Sequence, residues 1–207
     1  NIAQTDAPLS RSWEDGGLPT LWQITVGEGH AGAVVSSGSL YLIDYDRDAE
    51  EDAIRRLALD TGREIWRYTY SVSIKRNHGM SRTVPALGEG YIVTLGPKCH
   101  LVCLDAETGE LVWKKDLVEE YDTVIPPWYA GQCPIIDDGL LILAPGGTPL
   151  MVALRLDTGE EVWRTTERDG AGMTHSSILP IDFEGRRVYV YCARDGIHGV
   201  EAGTGRH

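Results

Sequence analysis

Three observations predict an all-β propeller of four-stranded antiparallel blades, about four of them in this 207-residue chain. A Thr-Gly-x-x-x-Trp pattern recurs as Thr61-Gly62 with Trp66, Thr108-Gly109 with Trp113 and Thr158-Gly159 with Trp163, and it opens again at Thr204-Gly205. Its glycines fall 47, 50 and 46 residues apart, the period of one propeller blade. Between these markers lie short runs rich in Val, Ile, Leu and Tyr, bounded by Gly, Pro and Asp, which read as strands joined by hairpins. No long window carries the 3.6-residue apolar spacing of a helix.

Taken in order, residues 1–20 read as an N-terminal extension. Leu21–Val26 reads as an outer strand with no blade before it, because Trp22 precedes Trp66 by 44 residues. Blades are then expected at about 30–68, 80–116, 131–166 and 174–207. In the first, the acidic stretch from Asp48 reads as a hairpin loop running into a third strand that ends at Leu57. In the second, the runs are Thr83–Leu87, Tyr91–Leu95, His100–Leu104 and a fourth opening at Leu111. The third repeats this with Cys133–Ile136, Leu140–Leu143, Met151–Leu156 and Glu161–Trp163. The last supplies Ser177–Ile181, Val188–Cys192 and Ile197–Ala202, and no outer strand.

The repeated residues have a mechanical reading. Gly62, Gly109, Gly159 and Gly205 sit where the third strand turns into the fourth, and a glycine takes positive φ there without a Cβ clash. Each Trp four residues later supplies a large ring with one N–H to satisfy between neighbouring sheets. These residues therefore hold blade to blade.

Bulk composition narrows the partners. The formal net charge is −12 and no Lys/Arg-rich stripe stands against that field, so a nucleic-acid partner is not expected. No apolar run approaches the ~20 residues a membrane span needs. The four cysteines, Cys99, Cys103, Cys133 and Cys192, form no Cys-x-x-Cys pair. They read as small buried hydrophobes.

Leu104-Asp105-Ala106-Glu107-Thr108-Gly109-Glu110-Leu111-Val112-Trp113 resembles, at every defined position, the blade motif of the PQQ-like β-propeller repeat family. The other copies vary at the position of Asp105, with Ala58, Arg155 and Glu201. The family includes quinoprotein alcohol and glucose dehydrogenases and non-enzymatic scaffolds similar to the lipoprotein that assists outer-membrane β-barrel assembly. The resemblance implies a non-catalytic extracytoplasmic scaffold with protein partners and no cofactor. Its alternative is a redox domain binding PQQ with calcium, or a small-ligand-binding propeller. It also implies that the loops leading into the innermost strands gather on one face. Those loops carry His30, His78, Arg82, Trp128, Tyr129, Gln132 and His175, a polar and aromatic set that could ring a ligand or be ordinary solvated loop residues.

The quinoprotein dehydrogenases use a disulfide between adjacent cysteines, a stacking Trp, and a Glu-Asn-Asp set around calcium. This chain has no adjacent cysteines, and asparagine only at Asn1 and Asn77. Asp44, Asp46 and Asp48 offer the alternating oxygens of a calcium loop, but Ala49 and Arg55 stand where an EF-hand needs Gly and Glu. A solvated acidic hairpin tip is the simpler reading.

The orphan strand at one end and the incomplete blade at the other leave ring closure open. The blades could belong to a seven- or eight-bladed ring whose remainder lies outside these residues. Two chains could instead each lend Leu21–Val26 to the other's fourth blade, or four blades could close alone.

Overall fold

Each hairpin turn of this chain reverses a short, strongly β-forming segment, so the strands meander rather than cross over. The computed structural model describes residues 12, 17–75, 83–166 and 172–207. The first sheet runs β1 (Val34–Ser36), β2 (Ser39–Asp46), β3 (Glu51–Ala58) and β4 (Glu64–Ser71), paired in sequence order. The second holds β5 (Ala86–Gly88), β6 (Tyr91–Leu95), β7 (His100–Asp105) and β8 (Leu111–Asp116). One helical turn, α1 (Leu117–Tyr121), leads toward the third sheet of β9 (Ile135–Asp137), β10 (Leu140–Leu143), β11 (Val152–Arg155) and β12 (Glu161–Arg164). The fourth sheet has β13 (Leu179–Phe183), β14 (Arg186–Ala193) and β15 (Gly196–Glu201). All strand pairs are antiparallel.

The Thr-Gly turns share one geometry. Gly62, Gly109, Gly159 and Gly205 have φ between 70° and 76°. Each N–H donates to the carbonyl four residues back, at 2.8–2.9 Å. Register shifts at Arg56/Leu57, Cys103/Leu104 and Ala153/Leu154 mark a bulge beside three of these turns, which twists the outer strand away. In the copy that matches the motif fully, Asp105 Oδ1 accepts from the N–H groups of Glu107 and Thr108 at 2.9 and 2.7 Å. Those bonds hold its carboxyl below the usual range.

Strand alternation gives every blade two faces, and adjacent blades bury them against each other. Tyr41, Ile43 and Ile54 of the first sheet meet Ile92, Val102 and Leu104 of the second. Val93, Leu101 and Cys103 then face Leu141, Val152 and Leu154, and Ile142, Ala153 and Trp163 face Tyr189, Tyr191 and Val200. The repeated Trp rings close these layers at the rim. A Cβ on Gly109 would lie 2.7 Å from Cδ2 of Trp66, and one on Gly159 would lie 2.8 Å from Cδ2 of Trp113. On Gly205 it would lie 2.6 Å from Cε3 of Trp163. Each indole N–H donates to a backbone carbonyl of the next blade: Ala106 at 3.2 Å, Leu156 at 2.9 Å and Ala202 at 2.8 Å.

Two expectations are corrected. Leu21–Val26 forms no strand, because among the described residues no third strand lies beside it to share a ladder; only Glu28 bridges to Tyr45. Trp22 nevertheless takes the repeated position, with its ring on Gly62 and its Nε1 donating to Leu59 O at 2.8 Å. The cysteines are not four buried hydrophobes: Cys99 and Cys103 are buried, Cys133 is half-buried and Cys192 is exposed. Burial pushes the thiols of Cys99 and Cys103 up to about 12. The α1 turn has no apolar period to announce it; the Asp116 carboxylate caps it by accepting from Val118 N at 2.9 Å, and Asp122 ends it at φ 53°.

Candidate functional site: the loop face

The connections from each outer strand to the next inner strand lie at one end of the blades. Residues 117–134 form the one of these connections that is described throughout. Thr123 Oγ1 donates to Pro145 O at 2.8 Å and Thr148 N to Tyr121 O at 2.9 Å, tying the loop to the β10–β11 connection. Ala130 N donates to Pro97 O at 2.9 Å, tying it to the β6–β7 turn. The loop thus bridges the second and third blades.

Tyr129 is the hub of this loop. Its φ of 64° is a left-handed conformation that a bulky residue holds only when its surroundings impose it. The buried ring packs with Tyr45, Val72 and Ile74. Its hydroxyl accepts from Lys75 N at 3.1 Å and lies 3.3 Å from Lys75 O, to which it donates. Its own carbonyl lies 3.2 Å from Nε2 of His175, whose ring rests on Gly131. Gln132 is wholly buried; its amide donates to Cys133 O and its carbonyl accepts from Ala144 N at 3.3 Å.

The seven residues expected to ring a ligand therefore separate. Tyr129 and Gln132 are turned inward and consumed by backbone partners, which corrects their expected place around a pocket. His30 and His175 are exposed, and Trp128 is 50% exposed. His78 and Arg82 lie outside the described residues. Sequence reading missed Val124, whose side chain is 73% exposed on the same ordered loop as Trp128. An isolated Val in a Pro-rich loop carries no periodic signal that could have marked it.

A polar cluster lies where the first and second blades meet. Asp52 is fully buried and accepts from Tyr70 Oη at 2.8 Å. Burial first, and the Asp52 charge second, push the Tyr70 phenol well above its ordinary value. Gly96 sits against this pair; a Cβ there would come within 2.1 Å of the Tyr70 hydroxyl. The ring of His100 stands edge-on to Tyr70, and burial lowers its basicity although Asp116 lies 3.7 Å away.

Two acids of the acidic stretch already have partners. Asp44 is buried, accepting from Arg55 at 3.0 Å and from Gly27 N at 2.7 Å. Asp46 Oδ1 accepts from the N–H groups of Asp48 and Ala49, both at 3.1 Å. Asp44 and Asp46 thus accept from different partners. Among the described residues no group of three or more His, Cys, Asp or Glu side chains is placed to hold a metal ion. A cleft of about 510 Å³ does lie beside this hairpin, under residues 25–28. Its walls are neutralised internally by Arg47 on Glu28 at 2.6 Å and by Arg55 shared between Asp44 and Glu64 at 3.0 and 2.6 Å.

Residues 50–207 match the protein family described as outer membrane protein assembly factor BamB. No curated protein sequence matches the chain. Among solved structures, BamB from Moraxella catarrhalis superposes with a TM-score of 0.60 at 17% identity, over 90% of this chain and 49% of its own. A europium-containing methanol dehydrogenase gives 0.62 at 14% identity, over 89% of this chain and 42% of its own. The quinohemoprotein alcohol dehydrogenase ADHIIG from Pseudomonas putida HK5 gives 0.57 at 20%, over 87% and 33%. This chain spans half or less of each of these propellers, and the likeness is one of fold.

Proposed function

Because the chain belongs to the PQQ-type β-propeller family described as outer membrane protein assembly factor BamB, we propose that it is a non-catalytic scaffold that binds protein partners through its loop face. The observation that carries this reading is the loop at residues 123–133. It is pinned at Thr123, Tyr129 and Ala130, yet it presents Val124 and Trp128 to solvent. A pre-ordered loop loses little conformational entropy on binding, and exposed aromatic and aliphatic side chains at such a place are typical anchors. An extracytoplasmic location accords with the family. No helix among the described residues is long and apolar enough to cross a membrane.

The likeness to two quinoprotein-type dehydrogenases raises a second reading, a redox domain holding PQQ with calcium. The residues do not fit that group. These residues contain no adjacent cysteines, and Asp44 and Asp46 accept from Arg55 or backbone N–H groups. No chemical step is assigned to it.

The two readings separate cleanly in experiment. A Val124→Asp, Trp128→Ala variant with unchanged thermal stability should lose the protein that copurifies with the native chain from its own source. Retention of that partner at full occupancy would remove the loop from the reading. Appearance of quinone absorbance and dye-linked alcohol oxidation after adding PQQ and calcium would replace the scaffold with the redox domain.

A further inference from the structure

The loop that presents Val124 and Trp128 is tied near both ends to one turn. At its start Leu117 N donates to Cys99 O at 3.1 Å, and further along Ala130 N donates to Pro97 O at 2.9 Å. Both acceptors belong to the β6–β7 turn, residues 96–99, in which Cys99 holds a left-handed φ of 70°. The next residue, His100, closes that turn: its carbonyl accepts from Gly96 N at 2.8 Å. On β7, His100 stands directly opposite Asp116 of β8, the residue whose carboxylate caps α1. His100 therefore adjoins the loop's anchor on one side and its helical turn on the other.

The surroundings of this imidazole suit its neutral form. Nδ1 is fully enclosed and has no hydrogen-bond partner among the described residues. Nε2 lies 3.7 Å from Asp116 Oδ2. The ring stands edge-on to Tyr70, whose hydroxyl is spent on the buried Asp52. These neighbours select the tautomer with its proton on Nε2 and a bare lone pair on Nδ1. A second proton would place an N–H at Nδ1, where nothing accepts it, and an unmet buried donor is costly. The charges that act on the ring are Asp116 and Lys114 of β8, Glu119 of α1 and Lys98 of the turn, with Asp52 of β3 behind the Tyr70 phenol. Burial disfavours the imidazolium first; Asp116 and Glu119 favour it, Lys98 and Lys114 oppose it, and the balance leaves the ring less basic than a free histidine.

We propose that His100 is an acid-sensitive latch on the loop that presents Val124 and Trp128. Neutral, it holds the β6–β7 turn and the α1 cap together; protonated, it leaves its place beside Tyr70, and the turn loosens its hold on Leu117 and Ala130. This regulation rests on the loop face being the partner site. An Nδ1–H meets an acceptor only if the ring turns out of the Tyr70 contact. The new cation also draws the Asp116 carboxylate, which competes with its 2.9 Å bond from Val118 N and so with the start of α1. A histidine made less basic by the fold contributes stability that is complete above the free value of about 6.5 and is lost as pH falls through the folded value. Loop order, and with it partner capture, therefore declines on mild acidification.

Histidine-ring NMR and amide protection factors of the chain, both read without any partner, test the latch. The His100 signal, assigned by its loss in the variants below, should titrate below the free value of about 6.5. Across that titration the protection factors of Leu117 and Ala130 should fall roughly five- to tenfold, the weight of one lost hydrogen bond, while those in β10 and β11 hold steady. His100→Gln and His100→Phe cannot take up the proton and should abolish the fall; the phenyl also keeps an edge against Tyr70. Titration of His100 at or above the free value overturns the proposal. So does a fall of the same size in either variant, or protection at Leu117 and Ala130 that stays level while His100 titrates. Because no partner enters these measurements, the latch can fail while the loop face still binds, and partner capture by the Val124→Asp, Trp128→Ala variant tests that face separately.

Discussion

Substituting alanine at Gly109 and, separately, at Gly90 isolates what the tryptophan seat contributes. Both glycines have positive φ, 76° and 85°. A left-handed conformation costs a residue with a Cβ roughly 1–2 kcal/mol. A Cβ on Gly90 meets nothing within 4 Å, so that figure is its whole expected cost. A Cβ on Gly109 meets three Trp66 ring carbons at 2.7–2.9 Å, so the ring must withdraw. Withdrawal breaks the 3.2 Å bond from Trp66 Nε1 to Ala106 O, about 1 kcal/mol. It also exposes part of a large aromatic surface, roughly a further 1–2 kcal/mol. Gly109→Ala should therefore destabilise the chain by about 3–5 kcal/mol against about 1–2 for Gly90→Ala. Urea titration followed by tryptophan fluorescence and circular dichroism measures both, provided the two probes coincide. In a Trp66→Ala background the excess should vanish, leaving the two alanines equivalent. Equal costs in the parent background, or an excess that persists without the indole, would refute the steric argument.

Three further outcomes follow from the same geometry. Trp113→Ala should cost ~3–5 kcal/mol and Trp113→Phe less, ~1–3, because the second keeps one aromatic ring in the seat while losing part of the indole volume and the N–H to Leu156 O; chemical denaturation of both checks the ordering. Asp137 accepts from Arg187 at 2.9 and 3.0 Å and from Tyr189 Oη at 2.9 Å, which hold its carboxyl below the usual range, the Arg187 bonds foremost. A depressed folded pKa gives stability that is complete above the unfolded value of about 3.9 and is lost as pH falls through the folded one. Melting temperatures of wild type and Asp137→Asn should thus converge at strongly acid pH and separate above about pH 4. Tyr129→Phe should cost about 1–2 kcal/mol by stranding the Lys75 N–H, and should speed protease nicking within residues 123–133 more than elsewhere.

Fold was legible in the sequence because each blade states itself in residues that do one job. Gly109 has positive φ and no room for a Cβ, and Trp113 has an N–H that only the next blade can satisfy; neither position tolerates much else. Strand limits followed from hairpin residues, so Tyr91–Leu95 and Leu140–Leu143 fall where the apolar runs put them. Leu21–Val26 failed as a strand because pairing needs a neighbour, and composition cannot show whether one is present. The loop face was legible only as a list. Tyr129 and Gln132 have the polarity of ligand contacts, but the direction of a side chain on an irregular loop depends on backbone partners such as Lys75 and Ala144, which lie far away in sequence.

Repetition also says where function must be sought. A residue present in every blade, such as the turn glycine, answers a need that every blade shares, so it carries no information about one partner. The connection between β8 and β9 carries the α1 turn, the left-handed Tyr129 and the exposed Val124 and Trp128. Holding Tyr129 at φ 64° costs backbone energy, which the burial of its ring and its two hydroxyl contacts to Lys75 offset. The loop joins the second and third blades, and Leu117, Tyr121 and Ala130 enter their shared core. Its evident physical consequence is to fix Trp128, the residue before Tyr129, in a defined outward position. A Tyr129→Gly variant relaxes the backbone while leaving Trp128 in place, and it should therefore weaken partner capture through a faster dissociation rate. Unchanged dissociation would show that the fixed loop serves the fold alone.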